Sequence, residues 1–213
     1  KLKPDYINLE NGYYCFQPEE SLTAFINHVR AINLEGSRYM RTVRVSDKLR
    51  VRTKLAAMAG CSPDELVITR NTTESNNIVS SGLDLKPGDE VLVWADNHPS
   101  NLNAWRTKAA RFGFTVVAAP VLPAHPGAAG YVDLFTKAFT AKTKLVTITH
   151  VSSNSGDLLP ASEICAAARA RGIMSLVDGA QAFGVLDLDL GSMKPDFYTG
   201  SMHKWPCGPK EKG

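Results

Sequence analysis

The sequence predicts an α/β fold in which a mostly parallel central sheet is covered by helices on both faces. Two observations support this prediction. From residue 62 onward, short strand-like runs alternate with segments of helical spacing, which is the order of elements in βαβ units. The strand-like runs are also continuously apolar, as parallel strands buried on both faces are. With 213 residues and an apolar content of 44%, the chain is long enough for one large domain with its own core.

The N-terminal part of the chain lacks this alternation. We interpret residues 1–40 as an N-terminal lead-in segment and residues 41–213 as the large domain. Residues 6–9 predict a short strand. Apolar spacing predicts a helix that begins at Ser21, its N-cap, and ends near residue 32, and a second helix over residues 46–59.

The alternating region supplies the strands and helices of the predicted sheet. The predicted strands are residues 66–69, 91–94, 114–119, 145–149 and 173–177, followed by a short strand within residues 195–201. The predicted helices between them are residues 72–83, 101–112, 132–139 and 161–171.

Polar residues follow several of these strands directly. In open α/β sheets, ligands bind outside the carboxyl ends of the strands, so these residues are expected to share one rim. They are Asn71 to Thr73, Asn97 and His98, Ser152 to Ser155, and Asp178.

Thr72 and Thr73 open a predicted helix, and the free N–H groups of a helix N-terminus form a good phosphate site. The structural alternative is that these residues only cap the helix. Asp178 ends a buried strand, where a carboxylate needs a partner; alternatively, it caps the next turn.

The loop at residues 201–204 combines two donors for an anion, Ser201 and His203, with the amine of Lys204. A lysine in a partly desolvated pocket has a lowered pKa and becomes a nucleophile, although most lysines are solvated surface charges. His98 offers a flat ring for stacking and an imidazole for acid–base work, or it is a structural loop histidine.

Composition disfavours several other classes of protein. The charge of +3 results from 24 basic and 21 acidic residues that are scattered along the chain, which does not indicate a nucleic-acid partner. No apolar run has the length of a membrane span. The four cysteines have the spacing of neither a zinc site nor a disulfide framework, so no metal is predicted. No strand is followed by a glycine-rich nucleotide-binding motif.

Taken together, these motifs resemble the class V aminotransferase family of pyridoxal-phosphate enzymes, which have the aspartate-aminotransferase type of fold. The resemblance covers nearly the whole chain. The motifs that carry it are NTTE at 71–74, DNHPSN at 96–101, THVS at 149–152, VDGAQ at 177–181 and GSMHKW at 200–205.

The resemblance implies a role for each predicted site residue. Lys204 would bind pyridoxal 5'-phosphate as a Schiff base and act in catalysis with His98 and Asp178. Asp178 would pair with the pyridine nitrogen, Gln181 would contact the phenolic oxygen, and His98 would stack on the ring. The residues implied to hold the phosphate are Thr72, Thr73, Ser201 and His203.

The resemblance also implies an enzyme that acts at the α-carbon of an amino acid or a peptide-borne amine, as an epimerase or an aminotransferase. The isopenicillin-N-epimerase-like branch is the most similar; it includes epimerases, C–S lyases and an exported enzyme that remodels pyoverdine. One alternative is a cysteine desulfurase or C–S lyase, although Ser153 stands where desulfurases often have Asn. Another is a non-catalytic binding module, which the presence of Lys204, Asp178 and His98 disfavours.

The resemblance implies two further features of the whole protein. Family members are usually homodimers, and they have a smaller C-terminal domain, which we expect to lie outside these residues. The sequence begins at Lys1 without a signal peptide, and the compartment is left open between cytoplasm and periplasm.

Overall fold

A five-stranded parallel sheet lies at the centre of the chain. The computed structural model describes residues 5–210. The strands are β1 (Glu90–Trp94), β2 (Thr115–Ala119), β3 (Thr143–Thr149), β4 (Met174–Asp178) and β5 (Phe197–Thr199). Their spatial order is β2-β1-β3-β4-β5, and each neighbouring pair is parallel. The predicted α/β fold is therefore confirmed.

Eight α-helices and one short 3-10 helix (Pro63–Glu65) are found in the described part of the chain. The α-helices are α1 (Glu19–Glu35), α2 (Ser37–Thr42), α3 (Arg44–Ala59), α4 (Thr72–Gly82), α5 (Pro99–Phe112), α6 (Gly127–Ala138), α7 (Ala161–Arg169) and α8 (Leu190–Met193). Within residues 5–210, none of them combines the length and apolar character that crossing a membrane requires.

The core has one layer on each face of the sheet, because side chains alternate along each strand. Leu92 and Trp94 of β1 pack with α6 and α7, whereas Val91 and Val93 pack with Trp105 of α5. All five side chains are almost completely buried, and burying a side chain of this kind stabilises the fold by about 1.5–3 kcal/mol.

The strand register brings the candidate site together. In the β3–β4 pair Thr149 lies beside Asp178, and in the β4–β5 pair Asp178 lies beside Thr199. These residues end their strands, so three neighbouring strands present polar side chains at the carboxyl rim of the sheet.

Two predicted strands are wrong. Residues 6–9 form no strand, and Ile7 and Leu9 are 86% and 92% exposed, so their apolar side chains do not pack in the core. Leu66 has extended dihedral angles, but residues 66–69 pair with no strand within residues 5–210. They line a cavity of about 510 Å³ together with β5.

The N-terminal helices also differ from the prediction. Helix α1 begins at Glu19 with Pro18 in the cap position, so Ser21 is not its N-cap. Acidic residues in the first turn, Glu19 and Glu20, interact favourably with the helix dipole. Helix α2 was not predicted, and it contains the proposed boundary between residues 40 and 41, which stays a prediction.

Candidate active site

Asp178 is the best-coordinated polar group at the rim. Its carboxylate is 5% exposed and accepts hydrogen bonds at both oxygens. Asn76 and Asn101 donate their side-chain amides to Oδ2 at 2.9 and 3.2 Å, and the backbone N–H of Ala180 donates to Oδ1 at 3.1 Å. None of the ion pairs found within residues 5–210 involves Asp178. A buried carboxylate with only neutral donors is suited to a cationic ligand.

Each amide beside Asp178 makes a further hydrogen bond through its oxygen. Trp105 Nε1 donates to Asn101 Oδ1 at 2.9 Å, and Thr199 Oγ1 donates to Asn76 Oδ1 at 2.9 Å. Because an indole N–H only donates, Asn101 Oδ1 must be the acceptor, and the amide nitrogen faces Asp178. Sequence reasoning gave Asn76 and Asn101 no role.

The start of α4 lies against the loop that contains Lys204. Thr72 Oγ1 contacts the backbone oxygen of Gly200 at 2.7 Å and Ser201 Oγ at 2.5 Å, and both side chains are buried. Asn71 caps the helix by accepting an N–H from its first turn at 2.9 Å. The first N–H groups of a helix have no partner within the helix, so those of Thr72 and Thr73 are suited to bind an anion. The side chain of Thr73 is exposed.

A cavity of about 740 Å³ lies at the rim and is lined by Lys204, His98 and Gln181, among others. Lys204 is half-buried, and desolvation lowers the pKa of its amine. The negative charges of Asp178 and Glu10 oppose this shift without cancelling it. The Lys204 amine therefore loses its proton more readily than an exposed lysine.

His98 and Gln181 line this cavity and also make structural contacts. His98 is exposed, and its Nδ1 accepts the N–H of Ser100 at 3.2 Å, so the ring caps α5. Gln181 donates to the backbone oxygen of Gly12 at 2.9 Å and accepts from Trp205 Nε1 at 2.8 Å. The predicted contacts of both residues with a cofactor stay predictions.

The N-terminal segment runs along the Lys204 loop. Cys15 donates its backbone N–H to the oxygen of His203 at 3.0 Å, and the ring of Tyr14 lies 5.0 Å from that of His203. His203 is buried. The segment therefore closes one side of the site.

Buried His150 and half-buried Tyr198 form a pair that supports the turn after Asp178. Tyr198 OH lies 3.1 Å from His150 Nδ1, and the backbone N–H of His150 donates to the oxygen of Asp178 at 2.9 Å. Burial lowers the pKa of His150 to about 4 and, with the charge of Asp178, raises the pKa of Tyr198. The Tyr198 ring lies against Gly179, where an added Cβ would be 2.1 Å from the phenolic oxygen.

A second carboxylate, Asp96, holds one wall of the cavity. It accepts from Ser152 Oγ and from Asn154 Nδ2, each at 2.6 Å. Ser153, between them, is exposed and lines the cavity. In the part of the chain that the structure describes, no group of three or more His, Cys, Asp or Glu residues is arranged to hold a metal ion.

Comparison with known proteins identifies the family. A family model described as aminotransferase class V matches residues 20–211. The chain belongs to the class V aminotransferase family. Isopenicillin N epimerase of Streptomyces clavuligerus is 35% identical, and a probable cysteine desulfurase of Methanothermobacter thermautotrophicus is 33% identical. Both matches include all of this class V chain but only 53% of the relative, so the chain spans about half the length of these curated relatives.

Solved structures of similar proteins agree with this family. A mutant of C-DES with glycine covalently linked to its PLP cofactor superposes with a TM-score of 0.86 and 29% identity, over 99% of the class V chain and 56% of C-DES. A second C-DES structure, described as a cystine C–S lyase with its product cysteine persulfide, has a TM-score of 0.84 and 30% identity, over 96% of the chain and 55% of C-DES. The cofactor of this family is pyridoxal 5'-phosphate.

The rim fits this cofactor in its donor and acceptor chemistry. The buried Asp178 carboxylate, which has only neutral donors, matches a protonated pyridine nitrogen. The first N–H groups of α4, which lie next to the hydroxyls of Thr72 and Ser201, match a phosphate group. The Lys204 amine is in the cavity at the same rim.

Proposed function

We propose that the chain forms the cofactor-binding part of an enzyme that removes a proton from the α-carbon of an amino acid or a peptide-borne amine. The proposed reaction is epimerisation or amino-group transfer, with pyridoxal phosphate attached covalently to Lys204. The observation that supports this most directly is the half-buried Lys204 amine, whose pKa is lowered by desolvation in the cavity. Such an amine is more often neutral near pH 7, and so a larger fraction of it is available to act as a nucleophile or to accept a proton.

The other site residues are proposed to hold the cofactor. Bound pyridoxal phosphate supplies an electron-accepting ring that stabilises negative charge at the α-carbon. Asp178 pairs with the ring nitrogen, His98 stacks on the ring, and Gln181 contacts the phenolic oxygen. The residues proposed to bind the phosphate are Thr72, Thr73, Ser201 and His203.

Lys204 is also the proposed general base. After the substrate amine has displaced it from the cofactor, its neutral amine accepts the α-proton. The atom to which the proton returns distinguishes epimerisation from amino-group transfer. With a volume of about 740 Å³, the cavity has room for a substrate larger than a single amino acid.

Exchange of the α-proton in D₂O tests this proposal. Full-length protein loaded with pyridoxal phosphate is mixed with a panel of amino acids and short peptides, and loss of the α-proton signal is followed by NMR. We expect exchange with the wild type and none with Lys204→Ala, which also loses the covalently attached cofactor in borohydride-reduced peptides. The control is Lys86→Ala, since the Lys86 side chain is 69% exposed and paired with Asp84. Exchange or covalent labelling that persists in Lys204→Ala would refute the assignment.

A second candidate reaction is cleavage of a C–S bond, as in a cysteine desulfurase or C–S lyase. Its support is the 33% identity to the probable desulfurase and the similarity to C-DES. Ser153 argues against the desulfurase, because it is in the loop where the family resemblance leads us to expect Asn. Release of sulfide or persulfide from cysteine or cystine, without α-proton exchange in other amino acids, would favour this second reaction.

We also propose that the protein acts as a homodimer. Helix α1 contains no buried residue, and Phe25, Ile26 and Val29 on it are 39–49% exposed, which is a large apolar surface for a monomer. Analytical ultracentrifugation of the full-length protein tests this. A non-catalytic binding module is the remaining alternative, and it predicts cofactor binding without turnover of any amine.

A further inference from the structure

We propose that Trp105 is a positioning residue for the reaction, because its indole N–H fixes the amide of Asn101 and thereby the carboxylate of Asp178. Thr199 has the same function on the other side of the carboxylate, through Asn76. The inference rests on the proposed function in one respect, namely that Asp178 binds the cofactor ring.

Trp105 and Asn101 are both fully buried, one turn apart on α5, with Trp105 Nε1 2.9 Å from Asn101 Oδ1. Trp105 belongs to the core layer between α5 and the sheet, and its ring makes an edge contact with Phe114. The indole therefore occupies one position, and its N–H points at one acceptor.

The oxygen and nitrogen of an asparagine side chain exchange places by a half-turn, and surrounding donors decide which orientation is stable. If Asn101 were reversed, its Nδ2 would face the Trp105 N–H, and its Oδ1 would face Asp178 Oδ2. Both contacts are repulsive, so the indole N–H selects the orientation that donates to Asp178.

Asn76 and Asn101 both donate to Oδ2 of Asp178, whereas Oδ1 receives only the N–H of Ala180. Thr199 Oγ1 donates to Asn76 Oδ1 at 2.9 Å and so holds the second amide in place. Asn76 of α4 and Asn101 of α5 thus hold the same oxygen of Asp178, and these two hydrogen bonds set the plane of the carboxylate.

The sequence contains a matched control for Trp105. Trp94 is also buried, 1% exposed, but the described residues offer its indole N–H no acceptor. Substitution by Phe removes an N–H in each case, and it breaks a hydrogen bond only at Trp105. Trp105→Phe and Trp94→Phe therefore separate the hydrogen bond from the general effect of shrinking a buried indole.

The experiment measures cofactor binding rather than turnover. Pyridoxal phosphate is titrated into apo full-length protein, and the absorbance of the bound cofactor is recorded as a function of pH. For Trp105→Phe we expect a dissociation constant about tenfold higher, the size of one lost hydrogen bond to a buried group, and a shifted pH profile. For Trp94→Phe we expect the wild-type dissociation constant and pH profile.

The outcomes are distinguishable. If Trp105→Phe binds the cofactor with the constant and pH profile of Trp94→Phe, the inference is overturned. If the wild type does not bind pyridoxal phosphate, the proposed function fails instead.

A second pair of variants covers the case in which Trp105→Phe does not fold. Thr199→Val removes the donor to Asn76, whereas Ser80→Ala removes a buried hydroxyl that donates to the backbone oxygen of Asn77. We expect the pH profile to shift with Thr199→Val alone, and equal profiles for the two variants would contradict the inference.

Discussion

Gly179→Ala adds one methyl group next to Asp178, and we expect it to destabilise the fold strongly. A Cβ on Gly179 would lie 2.1, 2.2 and 2.4 Å from three atoms of the Tyr198 side chain. Side-chain carbons do not approach so closely, so the ring has to move. The phenol is held by His150 at 3.1 Å, and it packs against the core, so the movement has a cost.

The expected cost is about 2–4 kcal/mol. Overpacking a well-packed site costs about 1–3 kcal/mol, and loss of the Tyr198–His150 hydrogen bond adds about 1 kcal/mol. With an m-value of about 2 kcal/mol/M in urea, the unfolding midpoint falls by roughly 1–2 M. Because Gly179 follows Asp178 directly, the variant should also bind pyridoxal phosphate more weakly.

Urea unfolding followed by circular dichroism measures this effect, with Gly82→Ala as the control. Gly82 ends α4, and an added Cβ there meets nothing within 4 Å, so this change should be neutral or stabilise by up to about 1 kcal/mol. Gly179→Ala/Tyr198→Ala should recover part of the loss relative to Tyr198→Ala alone. Equal midpoints for Gly179→Ala and Gly82→Ala would refute the reasoning.

Three further predictions concern titratable groups. Burial lowers the pKa of His150 to about 4 from an ordinary value of 6.5. As the pH falls, His150 is therefore protonated in the unfolded chain before it is protonated in the folded chain. Stability should therefore fall as the pH drops from 6.5 to 4, by up to about 3 kcal/mol, and His150→Gln should flatten this part of the urea-unfolding profile. Glu10→Gln should lower the pKa of Lys204, since it removes a charge that favours the ammonium form; the measure is the pH dependence of Lys204 labelling by an amine reagent. Burial raises the pKa of Cys165 to about 11, so iodoacetamide should modify it in urea but not in the native protein.

Each of these predictions has an outcome that contradicts it. An unchanged pH profile in His150→Gln, or an equal change in the exposed control His28→Gln, would exclude His150 as the cause. A labelling profile of Lys204 that is unaltered or moves to higher pH in Glu10→Gln would contradict the second. Rapid alkylation of native Cys165 would contradict the third.

The sheet could be predicted because its signal is local. Four of the five strands are mainly apolar runs, and the structure places them within one or two residues of the prediction. Residues 66–69 show the limit of this signal. Their apolar pattern and extended backbone are those of a strand, but a strand also requires a hydrogen-bonded neighbour, which is not a local property.

The sequence predicts that Asp178 and Lys204 lie at the carboxyl rim of the sheet, but it gives no role to the residues that support Asp178. Both residues follow predicted strands, and ligands in open α/β sheets bind outside the carboxyl ends of the strands. Asn76 and Asn101 lie within the first two turns of α4 and α5, where asparagine is usually solvent-exposed or a cap. Their role depends on how α4 and α5 pack near Asp178. That packing cannot be predicted from the spacing of residues along the chain.

The three tryptophans of the chain occupy three different environments, so they can serve as intrinsic fluorescence probes. Trp105 is buried and hydrogen-bonded, Trp94 is buried without a bonded partner among the described residues, and Trp205 is 38% exposed at the cavity. The emission of Trp205 should respond to whatever enters the cavity, whereas the two buried indoles should respond to unfolding. Single-tryptophan variants would thus report ligand entry and loss of the core as separate fluorescence signals, without an added dye.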